Sequence, residues 1–491
     1  MTFQFVPIPI AARCKTIQLN KTESGLIPGP TNGEQDEVIS STHVAPKNVT
    51  SPSDLDLDSD SHAEKLLKKI PDPKGIQRKL HTFDAFHSRN YRFLWLATAI
   101  FSSGFWLQQV VVGWLAYEIT GSPLLTSMAL GLDALPILVG APFGGLISDK
   151  FDKKILLSII YSYQAVLMVG YTVVIAMGYA NIWNLFIFVF LVGISWVIND
   201  PARMSLLAVI VPKKSLINAF ALNSMAFSVM RLIIPAAGGF SLAIFGPAPL
   251  FVVEGILMFS AAATIMMIQL DKDSSFDNSD RSAEQLLADL KSGINYVINQ
   301  KTVIGLTCMT VIMVIMVMPF VHGLMPVYAA EVFEVGPQGL GLLLSAAGLG
   351  SLIGSVILAS FTQITRPGKI LFVLLGFLGA LMATLAITNV YSVAMILIML
   401  LSGSMMSYFS ISGATVQGIL PDQYRGRVTG IYMMAWGFIP VGSLLAGSIA
   451  NVVGPQLSTL IGSSLIFVSL IAATYCFKGV WKYRLEEDSV G

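Results

Sequence analysis

The chain has 491 residues, 54% of them hydrophobic and 12% charged, with a formal net charge of +1. A soluble domain carries roughly 25% charged residues. Half that fraction excludes a water-facing surface over most of the molecule and points to lipid. The net charge names no partner; the positions of the charges carry the information.

Residues 1–85 read as a disordered cytoplasmic tail. They are rich in Ser, Asp, Pro, Asn and Lys, as in STHVAPKNVTSPSDLDLDSDSHAEKLLKK, and such a composition does not offset the entropy of ordering. The opening run MTFQFVPIPIAARCK is broken by Pro7 and Pro9, and its basic residues follow the apolar ones. It does not read as a secretory signal.

Twelve apolar segments follow, each near the roughly 20 residues a bilayer needs. They cover 92–118, 124–148, 153–178, 182–206, 215–245, 247–269, 302–329, 338–362, 368–388, 391–418, 426–450 and 455–477. This predicts an all-α integral membrane protein with a first six-helix bundle over 86–270 and a second over 302–478. Residues 479–491 form a short cytoplasmic tail. Between the bundles, residues 271–301 form a cytoplasmic linker. Its second half, SAEQLLADLKSGINYVINQ, predicts an amphipathic helix: Ser282 and Gln285 have capping-box spacing, and Leu286, Leu290, Ile294 and Val297 recur at helical intervals. We expect it to lie along the membrane face.

The charges orient the spans. Lys150, Lys153, Lys154, Arg203, Lys213, Lys214, Arg366, Lys369, Arg425 and Arg427 all fall in loops on one side. The loops on the other side contain neither Lys nor Arg. The positive-inside rule then puts both termini in the cytoplasm of a multi-pass protein of the cell membrane. The halves also echo each other: GFSLAIFGP (239–247) in span 5 parallels GSIANVVGP (447–455) in span 11, as expected of a duplicated transporter.

Charge at membrane depth is costly, so each such residue is a candidate. Asp133 lies roughly 14 Å into span 2, near the midplane. Glu254 lies in span 6 and Arg231 midway along span 5. In one reading Asp133 or Glu254 exchanges a proton, with Arg231 nearby to tune the exchange. In the other, Arg231 pairs permanently with one carboxylate as a structural bridge. Gln108, Gln109, Asn223, Tyr408, Gln417, Tyr432 and Trp436 are polar or aromatic at midplane depth, and His322 lies in the outer part of span 7, between Pro319 and Pro326. They are candidates for lining a solute cavity, or for hydrogen bonding between helices. The methionines of MTVIMVIMVMPF in span 7 read as lipid-facing filler, or as an adaptable apolar surface. Asp200 and Arg203 form an expected pair at the end of span 4.

Enzymatic signatures are missing: the sequence has no HExxH, GxSxG or GxxxxGK[ST]. Three scattered cysteines and five histidines give no metal-ligand spacing. No metal, cofactor or nucleic acid is expected. The implied partners are the bilayer, a small-molecule solute and protons, with the chain acting as a monomer.

The turn between spans 2 and 3 is the most specific feature. Gly145, Asp149, Lys150, Lys153 and Lys154, in GGLISDKFDKK, resemble the signature loop of the major facilitator superfamily (MFS). RNYRFLWLATAIFSSGFWLQQVVVGWLAYEITGSP, NDPARMSLLAVIVPKKSLINAFALNSMAF, RLIIPAAGG and YRGRVTGIY extend the resemblance over residues 88–478, toward the bacterial branch of enterobactin and macrolide exporters. Asp152 replaces the usual second glycine, and Ile234 replaces a glycine of the antiporter motif. The resemblance implies the MFS fold, two pseudo-symmetric six-helix bundles, and alternating access. It implies that Asp149 faces the start of span 11 near Arg427, locking the inner side. The function it implies is proton-coupled export of a small amphipathic compound, drug-like or siderophore-like. Import of a metabolite, or a non-transporting sensor on the same fold, stays open at this point.

Overall fold

The computed structural model describes residues 84–212, 215–270, 283–361 and 364–483. The expected tail over 1–85 falls almost wholly outside them. Its last two residues do not belong to a tail: Asp84–His87 is a 3-10 turn, Ala85 is buried, and the Ala85 N–H donates to Asn218 Oδ1 at 3.2 Å.

Every regular element among the described residues is helical, as apolar chain in hydrocarbon requires: each helix satisfies its own backbone. The first half comprises α1 (Arg89–Thr120), α2 (Pro123–Gly131 and Leu135–Lys150 around a 3-10 turn at Leu132–Ala134), α3 (Lys153–Ala176), α4 (Ile182–Ile210), α5 (Leu216–Phe245) and α6 (Pro247–Met266). A linker helix (Ala283–Asn299) follows. The second half opens with α7, helical from Lys301–Met316 and then through two π turns, Pro319–Gly323 and Tyr328–Val332. Then come α8 (Gly336–Ala359), α9 (Pro367–Ala386) and α10 (Tyr391–Ile419). α11 runs through Asp422–Met433, a 3-10 turn at Met434–Phe438 and the first part of Ile439–Cys476. Among the described residues, eleven helices are long and apolar enough to cross a membrane, and the last is two spans in one. Gly454, at φ 83° and ψ 164°, divides it, and α12 starts at Pro455. Twelve spans result.

The halves repeat. Helices starting at Arg89, Pro123, Lys153, Ile182, Leu216 and Pro247 correspond to Lys301, Gly336, Pro367, Tyr391, Asp422 and Pro455, each displaced by roughly 210 residues. The shared GP corners are the same device. Gly246 and Gly454 both have positive φ, 75° and 83°, which a residue without Cβ adopts freely, and the following proline starts the next helix.

Prolines set the breaks. Pro136 lacks an N–H and its ring clashes with the carbonyl four residues back, Leu132, where the 3-10 turn of α2 begins. Pro319 opens the first π turn of α7, where the Leu324 N–H reaches back to the Pro319 carbonyl at 3.1 Å. Met309 and Met313 of α7 are not lipid-facing but fully buried in the core, whereas Met316 and Met318 are half-buried.

The halves meet along two main seams, α5 against α8 and α2 against α11. Small residues make both. A Cβ on Gly341 of α8 would strike the Pro235 carbonyl, and one on Gly348 would meet the Arg231 carbonyl, which Pro235 leaves without its helical donor. The Ala236 N–H instead donates to Ser345 Oγ at 2.9 Å. Gly131 lies on Ser443 and Gly447 on Leu124. At the face away from the linker helix, Tyr117 donates to Glu331 at 3.0 Å and Ser122 to Asn451 at 3.0 Å, both across the halves. Toward the linker face the glycine contacts between α5 and α8 stop at Gly348 and Arg231. On α5, Ser228 is half-buried while Met225 and Ala221 are exposed. On α8, Leu352 and Ser355 are half-buried and Val356 is exposed.

Gly341→Val is expected to destabilise the purified protein by about 1–3 kcal/mol, because the seam backbone has no room for a side chain. Gly170→Val, where a Cβ meets nothing within 4 Å, serves as the control. Melting temperatures of the two variants check this.

Candidate functional site

The basic turn is built by a cap. Asp152 Oδ1 accepts from the N–H groups of Lys154 and Ile155 at 2.9 and 3.0 Å and starts α3. The departure from the second glycine therefore has a local reason, legible in the sequence as an Asp preceding an apolar run. Lys150 is exposed; Lys153 and Lys154 are half-buried. The expected role of the Asp149 side chain lies outside the described residues. Gly145 meets nothing within 4 Å; the close approach to α4 falls on Gly140 and Gly144, both against Val197.

Across from this turn, the start of α11 carries the linker helix. Arg427 Nη1 donates to Ser292 Oγ at 3.0 Å, Tyr424 stacks on Tyr296 with centroids 4.4 Å apart, and Gly293 lies on Arg427 and Ile431. The linker helix thus docks on protein through Ser292, Gly293, Tyr296 and Val297. Ile294 and Ile298, one turn apart, are left exposed beside that strip.

Asp133 sits in the 3-10 turn of α2, half-buried. Its carboxyl has the Gln109 side chain and the Ala134 N–H as hydrogen-bonding neighbours. Gly193 of α4 packs on its backbone. Two residues picked separately from the sequence thus share one place. Glu254 is different: it is fully buried in α6, which packs on α1 and α3, and neither carboxyl oxygen has a partner. The expected bridge between Arg231 and a carboxylate is absent: Arg231 forms no ion pair among the described residues. Its Nη2 lies 3.2 Å from His322 Nε2, and its guanidinium carbon lies 4.8 Å from the Trp106 ring centre. Asp200 and Arg203 do pair, at 2.7 Å.

The other polar candidates divide. Gln108 and Asn223 are buried, and Asn223 Oδ1 has no partner. Tyr408 is fully buried; Tyr432 is buried and its hydroxyl meets Thr310 at 3.3 Å, within the second half. Trp436 is half-buried and stacked on Phe409 at 4.5 Å. Gln417 is exposed. Nothing in the sequence singles out Trp106 except its place one turn before Gln109, on a helix that carries two adjacent glutamines.

Two repeated six-helix halves, a capped basic turn and helix breaks where the halves meet are the arrangement expected of a duplicated transporter. The profile of the family described as transmembrane secretion effector matches residues 80–485. The chain belongs to this family of MFS transporters. The staphyloferrin A transporter of Staphylococcus aureus is 24% identical over 397 residues, covering 79% of this chain and 96% of that protein. Macrolide efflux protein A of Streptococcus pyogenes is 20% identical over 370 residues, covering 73% and 89%. Among solved structures, a bacterial homologue of the human lysosomal transporter Spinster, inward-facing and occupied, superposes with a TM-score of 0.64 at 14% identity. That match covers 81% of this chain and 98% of the other. The nucleoside transporter NupG superposes at 0.63 with 12% identity, covering 79% and 99%. The protein is thus a multi-pass membrane transporter and not an enzyme.

Asp152→Ala is expected to cost about 1 kcal/mol at the start of α3, whereas Asp152→Asn keeps the cap. Hydrogen exchange at residues 153–156 checks this: protection falls about fivefold in the alanine variant only.

Proposed function

We propose that the protein exports a small amphipathic compound by alternating access, in exchange for protons, from the cytoplasmic side of the cell membrane. The observation that carries this reading is the uneven seam. The halves are packed through glycines and cross-half hydrogen bonds at one face, and we read the end of those contacts and the exposure of Ala221, Met225 and Val356 toward the other as the two halves parting there. A contact made of small residues lets two rigid halves separate and rejoin without repacking large side chains. The charge map supports placing the parted face, with the basic turn and linker helix, in the cytoplasm. The likeness to macrolide efflux protein A, an exporter by name, supports export.

In this reading the latch at the cytoplasmic face is formed by α2 and α11, with the basic turn on one side and Arg427 and the linker helix on the other. Proton exchange falls to Asp133 rather than Glu254. Asp133 is half-buried in a turn that touches α11 as well as α4 and has Gln109 to hold it. Glu254 is sealed inside the first half. A proton taken up by Asp133 from outside and released inside would drive the solute the opposite way.

The direct test is the accumulation of a panel of small amphipathic compounds in cells with and without the chain. At least one compound is expected to accumulate less, and an uncoupler to erase the difference; equal accumulation across the panel counts against export. With that compound in proteoliposomes, Asp133→Asn is expected to lower gradient-driven transport at least about tenfold while exchange persists. Glu254→Gln is expected to leave both. Orientation has its own check: a Lys153→Cys variant of a chain stripped of its native cysteines should react with an impermeant maleimide only after the cells are opened.

A further inference from the structure

The seam between the halves closes over a set of nitrogen atoms that has no acceptor. Arg231 of α5 lies where the seam begins to part. Its Nη2 contacts His322 Nε2 of the other half at 3.2 Å. A guanidinium only donates, so His322 accepts at Nε2 and carries its proton on Nδ1. That Nδ1 is buried without a partner among the described residues, as are Arg231 Nε and Trp106 Nε1. Arg231 Nη1 is neither buried nor bonded. Trp106 covers one face of the guanidinium at 4.8 Å. Three side chains from α1, α5 and α7 thus offer donors and one permanent positive charge, and no oxygen.

The contrast with Arg203 defines what is missing. Arg203, also buried in a span, has the Asp200 carboxylate at 2.7 Å. Arg231 meets neither Asp133 nor Glu254. A cation at membrane depth with no counter-charge is costly, and such residues mark solute or ion pathways. Neither neutral His322 nor Trp106 adds charge, so the group balances one negative charge. The planar fork of a guanidinium matches a carboxylate. Beside it, Phe105, Trp106 and Phe227 form an aromatic wall, with centroids 4.9 to 6.0 Å apart, which suits an apolar body.

We propose that Arg231, with His322 and Trp106, is the docking point for a single carboxylate, and that the transported solute is an amphipathic monocarboxylate. The inference rests on the transporter reading above. It also gives the carboxylate a differential effect on the two arrangements of the seam: His322 and Arg231 belong to opposite halves, so the pair exists only while the halves are together there.

The minimal probe is acetate, with acetamide as its uncharged counterpart, on the purified full chain at constant ionic strength held with sodium chloride. Acetate at ten times its dissociation constant is expected to raise the melting temperature by about 2 °C, and acetamide not at all. Arg231→Gln removes the shift. Arg231→Lys keeps part of it and shows that the fold tolerates the position. An equal shift in Arg231→Gln, no shift in the parent chain up to high millimolar acetate, or an equal shift with sulfate would each overturn the carboxylate site. A second arm separates this from the export reading. Cells with the chain are expected to accumulate less naphthaleneacetate but unchanged naphthaleneacetamide, and Arg231→Gln to restore the former. Export of the amide alone overturns the site and leaves export standing. Acetate stabilisation with neither compound exported leaves the site standing, and the export reading falls.

Discussion

A chain that crosses hydrocarbon has to satisfy each backbone group within its own helix, and any lapse must be covered by protein. That constraint makes the lapses in these twelve helices informative. α2 lapses at Leu132–Ala134, α7 at Pro319–Gly323 and again at Tyr328–Val332, and α11 at Met434–Phe438. Each stands at or beside a proline, and each lies where the two halves of the molecule meet. Asp133, His322 and Trp436 are the residues these lapses carry. The irregular turns re-aim side chains that a regular helix would direct elsewhere.

The same constraint orders the energetics. Lipid supplies no hydrophobic drive between helices, so the seams rely on van der Waals contact and on hydrogen bonds. Gly341 and Gly348 let backbone lie on backbone, and Ser345 takes up the Ala236 N–H. Pro235, which frees the Arg231 carbonyl, and Gly348, which lies on it, act as a pair. A side chain at position 348 would be driven into that carbonyl.

Much of the fold was legible in the sequence, because span length, loop charge and the GP corners are local signals. The breaks were partly legible, since Pro136 and Pro319 mark them. What was not legible is pairing across the halves. Arg231 and Glu254 stand on consecutive apolar spans, and opposite charges there read as partners; the partner is instead His322, 91 residues on. Trp106 carried no signal apart from its neighbours, and its meaning depends on a guanidinium that only the packing brings to it. Met309 and Met313 read as lipid-facing because apolar helices show little amphipathic contrast when both sides are dry.

The two GP corners set how this molecule can move. At each, a positive-φ glycine and the proline after it join one span to the next with no intervening loop. α5 and α11 line the seams, while α6 and α12 are tied to them as the other limb of a stiff elbow. Slack is therefore missing from the face where Tyr117 and Glu331 meet. In the alternating access proposed above, parting there turns each elbow as one lever and carries Glu254, on the far limb of the first, along with α5.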